Sequence, residues 1–161
     1  MKVATTRKEA VVELLSKPVP AGTSTWRPAK SLVKLRSQVD ARWPGRKRSS
    51  DGIIGDASHQ SRDSDHNPWV KDGVVGVVTA IDITHDPQGG CDAERVVSAL
   101  IASRDPRIKY IIWNKRIISS SVASWVWRSY SGRNPHTQHF HLSVASTKSL
   151  YDHEGEWNLV V

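Results

Sequence analysis

A single cysteine, Cys91, stands in the 161 residues. One thiol excludes an intrachain disulfide, suits synthesis in a reducing compartment and removes any zinc cage built from cysteines. No stretch approaches the roughly 20 apolar residues of a spanning helix, so no membrane insertion is expected. The N-terminal segment MKVATTRKEAVVELLSKPVPAG has no continuous apolar run, because Lys8, Glu9 and Glu13 interrupt it. It does not read as a signal peptide. The protein is therefore expected in a cytoplasm, with any export depending on another component.

What is present argues for one globular domain with a real core. Hydrophobic residues make up 38% of the chain, and seven tryptophans each bring a large buried area. The net charge is +7, which suits an anionic partner: nucleic acid, a membrane surface or an acidic polymer such as a bacterial wall.

The pattern along the chain predicts α+β. A short helix is expected over residues 7–16, with Val11, Leu14 and Leu15 inward. Prolines and Gly22 mark residues 17–28 as a linker or ordered loop. Leu32, Leu35, Val39 and Trp43 recur at helical spacing over 29–43, and Pro44-Gly45 stops that helix. Residues 56–73 read as irregular, 74–84 (VVGVVTAIDIT) as one buried strand, and 93–103 as a helix. Residues 107–119 read as one or two strands about an Asn114-Lys115 turn, 124–130 as a short strand, and QHFHLSV as the last strand. The expected architecture is N-terminal helices packed on a small, mostly antiparallel sheet. Residues 1–25 form a helix and linker, and 26–161 the main domain.

The chemistry gathers in two places. NPHTQHFHLSV holds three of the seven histidines: His136, His139 and His141. On a strand, residues i and i+2 share a face, so His139 and His141 point together and Phe140 points away. Such a pair suits a metal site or an acid/base pair beside one; each alone also reads as a packed or exposed residue. Upstream, SRDSDHNP places His66 in a polar loop, and TAIDITHD places Asp82 inside an apolar strand. A carboxylate there is costly unless it is paired or bound to a cation; otherwise it is solvated at a strand end or caps a helix. His66, Asp82 and His141 make a two-histidine, one-carboxylate set, the number of protein ligands that catalytic zinc uses.

Together, SDHNP, AIDI and the HxxHxH run resemble the zinc peptidases of the D-alanyl-D-alanine carboxypeptidase and murein endopeptidase group, which share the Hedgehog/DD-peptidase fold. Over residues 25–145 the chain resembles the peptidase domains of phage endolysins from actinobacterial hosts. The resemblance implies zinc (Zn2+) on His66, Asp82 and His141. It implies His139 beside the metal as base or transition-state stabiliser, and His136 as a further active-site histidine. It also implies a substrate, the stem peptide or cross-link of bacterial peptidoglycan, and storage in the host cytoplasm until lysis. Two positions depart from the pattern. Asp82 follows His66 by sixteen residues, a longer interval than the family's, so 67–78 is expected as an inserted loop or hairpin roofing the site. Gln138 stands where many members carry an acidic base, which leaves that role to His139 or His136, or to Asp65 or Asp63.

Arg62 is the candidate for holding a substrate carboxylate or the oxyanion. His85 is a candidate to orient a ligand. The protein is expected to act as a monomer without a nucleic-acid partner. The alternative is a metal-dependent nuclease of the His-Asn-His kind, suggested by Asp65-His66-Asn67 and the basic charge.

Overall fold

The computed structural model describes residues 25–55 and 62–160. The helix expected over 7–16 lies outside them. Eleven elements follow in order: β1 (Trp26–Pro28), α1 (Lys30–Arg42), β2 (Val70–Asp72), β3 (Val75–Val78), β4 (Ala80–Thr84), α2 (Ala93–Ser103), β5 (Ile108–Trp113), β6 (Arg116–Ser119), β7 (Arg128–Ser129), β8 (His139–Val144) and α3 (Lys148–Tyr151). The class is α+β. Among the described residues no helix is long and apolar enough to cross a membrane.

α1 forms where the periodicity places it. Leu32, Leu35 and Val39 are buried on one face, and the helix ends at Trp43 because the residue before a proline is pushed out of the α region. α2 begins at Asp92, whose carboxylate accepts the Glu94 N–H, and stops where Arg104 turns left-handed at φ 44°.

Five strands, in the order β4-β8-β5-β6-β7, make one antiparallel sheet. Its inner face carries Ile81, Ile83, Ile111, Phe140 and Leu142, all in the core with Leu32, Leu35, Val96 and Leu100 of the helices. Its other face carries Asp82, His139, His141, Ser143 and Tyr110. Asp82 lies directly opposite His141, and Tyr110 opposite Ser143. Fully buried, Phe140 fixes the register: slipping one residue would turn the histidines into the core.

The β5–β6 hairpin turns at Asn114-Lys115, both left-handed (φ 49° and 63°), as a two-residue hairpin loop requires.

Four sequence expectations change. The run 74–84 is two strands, not one. β3 leaves the main sheet to pair with β1 in parallel and with β2 antiparallel, and Thr79 is the joint. Residues 26–28, expected as linker, form β1, and 70–72, expected as irregular, form β2. Gly76 lets this small sheet close, since a Cβ there would run into the Pro68 carbonyl. Of 124–130 only Arg128–Ser129 is strand, because Ala123 and Trp125 take left-handed φ values of 45° and 59°.

A buried ion-pair network ties the loop after α1 to β4. Arg46, with its side chain fully covered, meets Asp51 at 2.6 Å and Asp40 at 2.8 Å. Asp51 also accepts the Thr84 N–H and hydroxyl at 2.9 and 2.7 Å. Burial raises the Asp51 pKa, but Arg46 and Thr84 outweigh it and hold the group below its usual range. A carboxyl depressed in the folded state stabilises fully above its unfolded pKa, and the contribution fades as pH falls through the folded value. Asp51→Asn should cost about 3–5 kcal/mol at pH 7, since it strips the buried guanidinium of its closer partner. The deficit should shrink as pH falls below the unfolded value of about 4, where the wild type's advantage starts to fade toward the depressed folded value. Urea unfolding at pH 7 and pH 3 checks this; an equal deficit at both would show that the charge is not the cause.

Candidate metal centre

Three separate segments bring the candidate ligands together. Asp82 and His141 come from adjacent strands and face each other across the β4–β8 pair. His66 arrives from a loop pinned on two sides. The Thr79 N–H donates to the Asp65 carbonyl at 3.2 Å, and the Gly55 N–H donates to the His66 carbonyl at 3.0 Å. Gly52 bridges to Asp82 on the free edge of β4, with N···O distances of 2.8 and 3.2 Å. The 51–55 segment thus serves as an edge and as a clamp for His66.

The convergence is tight. His66 Nε2 lies 3.1 Å from His141 Nδ1 and 3.2 Å from Asp82 Oδ1, and His141 Nδ1 is also 3.2 Å from Asp82 Oδ1. Ligands at about 2.0–2.1 Å from a tetrahedral ion lie about 3.3 Å apart, so the three atoms are spaced as such an ion would hold them. The protons agree with this. His66 Nδ1 is 2.6 Å from the Ile53 carbonyl, which can only accept. The N–H is therefore on Nδ1, and Nε2 turns its lone pair inward. Both histidines are buried, at 5% exposure each.

Burial raises the Asp82 pKa, but the adjacent His141 and His66 outweigh it and hold the carboxyl far below its ordinary range. Burial lowers His66 while Asp82 raises it, with a net rise; for His141 burial wins and the net is down. An anionic oxygen and two imidazole nitrogens facing one point attract a cation, whether proton or metal.

A second group adjoins the first. His139 Nε2 is 3.7 Å from Asp82 Oδ2, and it is buried without a hydrogen-bond partner. His136 comes from the loop before β8. Its N–H is 2.9 Å from Asn134 Oδ1, and its Nδ1 is 2.7 Å from the Asn134 carbonyl. That bond puts the proton on Nδ1 and leaves Nε2 as an acceptor. The loop is held by hairpin amides: Asn114 N–H to the His136 carbonyl and Lys115 N–H to the Pro135 carbonyl, both 2.8 Å. His136 sits at a left-handed φ of 53°, a costly conformation for this side chain. Burial, with His141 and His139 nearby, pushes His136 down to about 4. The 3.7 Å gap is wider than the edge of a tetrahedral metal site and suits two groups that share one water.

Asp82 lies between two openings. One, of about 570 Å³, is lined by Arg62, Asp63, Tyr110, Tyr130, Arg133 and His136 among others. The other, of about 430 Å³, is lined by Asp51, Gly52, Thr137, Gln138 and His139 among others. Both share Asp82, Asn134 and Pro135, so an extended chain has room on either side of the cluster.

The structure thus brings His66, Asp82, His141, His139 and His136 into one cluster, with Arg62 on the rim of the larger opening. Residues 67–78 do contain the expected hairpin, β2 with β3, but it pairs into the three-stranded sheet and lines neither opening, so it does not roof the site. His85 does not orient a ligand. Its Nδ1 accepts the Ala93 N–H at 3.0 Å, and its ring packs on Trp113. Asp65 is engaged by Lys109 at 2.9 Å. Cys91 is buried, and burial pushes its thiol up to about 11, which removes it as a nucleophile. Sequence reasoning missed Ser143, Tyr110, Tyr130 and Arg133. Ser143 was findable, being two residues beyond His141 on the same strand face; Tyr110, stacked on His141 with ring centroids 5.4 Å apart, depends on strand pairing.

Residues 27–141 match the model of the family described as "VldE, C-terminal domain", a span that runs from β1 to the last of the three candidate ligands. No curated protein and no solved structure matches.

Proposed function

The chain belongs to the VldE C-terminal domain family, and we propose that in this member the site is that of a zinc peptidase with the Hedgehog/DD-peptidase fold. It cuts the stem peptide or cross-link of bacterial peptidoglycan, as a phage endolysin would in host lysis. The observation that carries the reading is the spacing of His66 Nε2, Asp82 Oδ1 and His141 Nδ1, 3.1–3.2 Å apart and buried on one sheet face. Zinc on these three groups would polarise a peptide carbonyl and bring the ionisation of water toward neutral pH.

The remaining residues divide the work. His139, with its buried nitrogen unpartnered beside Asp82 Oδ2, takes the proton from the attacking water, and Asp82 stabilises the imidazolium across 3.7 Å. His136 stays neutral with its Nδ1–H tied to Asn134, so its Nε2 accepts a hydrogen bond and orients that water. Arg62 on the rim, with Arg133, receives the negative charge of the substrate or of the oxyanion. The openings on either side of Asp82 accommodate peptide on both sides of the scissile bond.

The net charge of +7 supports adsorption to an anionic wall, weakening with salt. The His-Asn-His nuclease reading loses support, because Asn67 turns away to donate to the Arg62 carbonyl at 2.9 Å while His66 faces His141 on β8.

The test is one zinc-loaded preparation given two substrates. Release of new peptide termini from purified walls, halted by a chelator and restored by zinc, is the expected result. Nicking of plasmid DNA with intact walls would replace the peptidase by the nuclease.

A further inference from the structure

The Asp82 carboxylate has two oxygens. Oδ1 meets His66 and His141, and Oδ2 is the one beside His139 Nε2, at 3.7 Å. That nitrogen is buried and has no hydrogen-bond partner, a rare state for a polar atom. His136 completes a second group. Its ring centroid is 4.9 Å from that of His139, with the planes at 75°. The Asn134 carbonyl occupies its Nδ1 at 2.7 Å, so Nε2 is the nitrogen left for a ligand. One donor atom from each of Asp82, His136 and His139 lies within 4.8 Å of the other two.

The donor set chooses the occupant. Two imidazoles and one carboxylate suit zinc and similar borderline cations, whereas magnesium and calcium want oxygen ligands. The spacing sets the strength. Donors bound at about 2.1 Å to one ion are at most about 4.2 Å apart, so this set must close by up to about 0.6 Å. The set of His66, Asp82 and His141 needs no such closure. Two dications bridged by one carboxylate also repel, at a separation of about 3.5–4 Å. Both effects make the second site the weaker.

Access is open from both sides. His136 lines the larger opening and His139 the smaller, and both openings reach Asp82. A cation here would take the place of the water between His139 and Asp82. It would also stand across the path of an extended substrate.

We propose that Asp82 Oδ2, His136 and His139 form a second, weaker site for a zinc-like cation, and that filling it stops turnover. The binding follows from the geometry; the effect on turnover rests on the zinc-peptidase reading, because the ion sits on the nitrogen that takes the proton from water.

The test is zinc titration of chelator-treated protein, followed by calorimetry and by release of peptide termini from purified walls. Two binding steps are expected. The first restores hydrolysis; the second lowers it about 100-fold or more, as loss of a general base does. Magnesium at the same concentration leaves the rate unchanged. The variant is His136→Asn, since asparagine tolerates the left-handed φ of 53° at this position. It should keep the first step, which also shows that it folds, and lose the second. Its own reduced rate should then hold through excess zinc. A single step in the wild type, or a second step or an inhibition that survives in His136→Asn, overturns the proposal and leaves the first centre standing. A second step that leaves turnover unchanged, or raises it, overturns the inhibition. Two steps without wall hydrolysis at either overturn the peptidase reading and the inhibition with it, while the second site stands. No step at all overturns the zinc reading and the proposal together.

Discussion

His141→Ala should release zinc and abolish wall hydrolysis together. In the proposed site three donors would share the ion, and zinc binding at protein sites is worth about 10–16 kcal/mol. Losing one of three ligands should therefore cost about 3–5 kcal/mol, or roughly three orders of magnitude in affinity. The variant should emerge from gel filtration with far less than one equivalent of metal, while the wild type keeps about one. Asp82→Asn is the companion that preserves shape. It removes the anionic oxygen lying 3.2 Å from both histidines and should also strip the metal. Metal content by elemental analysis and turbidity loss of purified walls are read on the same samples. A folded His141→Ala that retains a full equivalent would remove this histidine from the ligand set.

His139→Ala should separate what His141→Ala joins. Its Nε2 has no hydrogen-bond partner and is 3.7 Å from the other Asp82 oxygen, so the three ligands remain intact without it. We expect about one zinc retained and turnover reduced about 10²–10⁴-fold, the range for loss of a positioned general base. His136→Ala should cost less, about tenfold, because it removes a hydrogen-bond acceptor rather than the proton acceptor. Paired metal and rate measurements decide. Full activity in His139→Ala would give the base role to another group, and loss of zinc would make His139 a ligand.

These two expectations share a strand, and the strand was readable early. Alternation alone placed His139 and His141 on one face and Phe140 on the other, as β8 shows. Asp82 was legible for a similar reason: a carboxylate among Ala80, Ile81 and Ile83 is too costly to leave without partners. The helices over 29–43 and 93–103 followed from periodicity and capping, and Asn114-Lys115 from turn chemistry. The split of 74–84 was not legible. Its residues are uniformly apolar or β-branched, and only pairing partners show that Val78 belongs to one sheet and Ala80 to another. A hairpin within 67–78 was legible as one of two forms, but its pairing with β1 and its place away from the site were not, since no local pattern names that partner.

The sequence by itself determined the α+β class, the shared face of the histidines and the identity of residues fit for a metal, because alternation and burial cost act over a few positions. Tertiary structure decided the rest. It set the distance from His66 to Asp82 and His141, the tie from Ile53 that turns His66 Nε2 inward, and the ion pair that joins Lys109 to Asp65. Those are contacts between segments distant in the chain, and hydrogen-bond direction there depends on partners that no local pattern names.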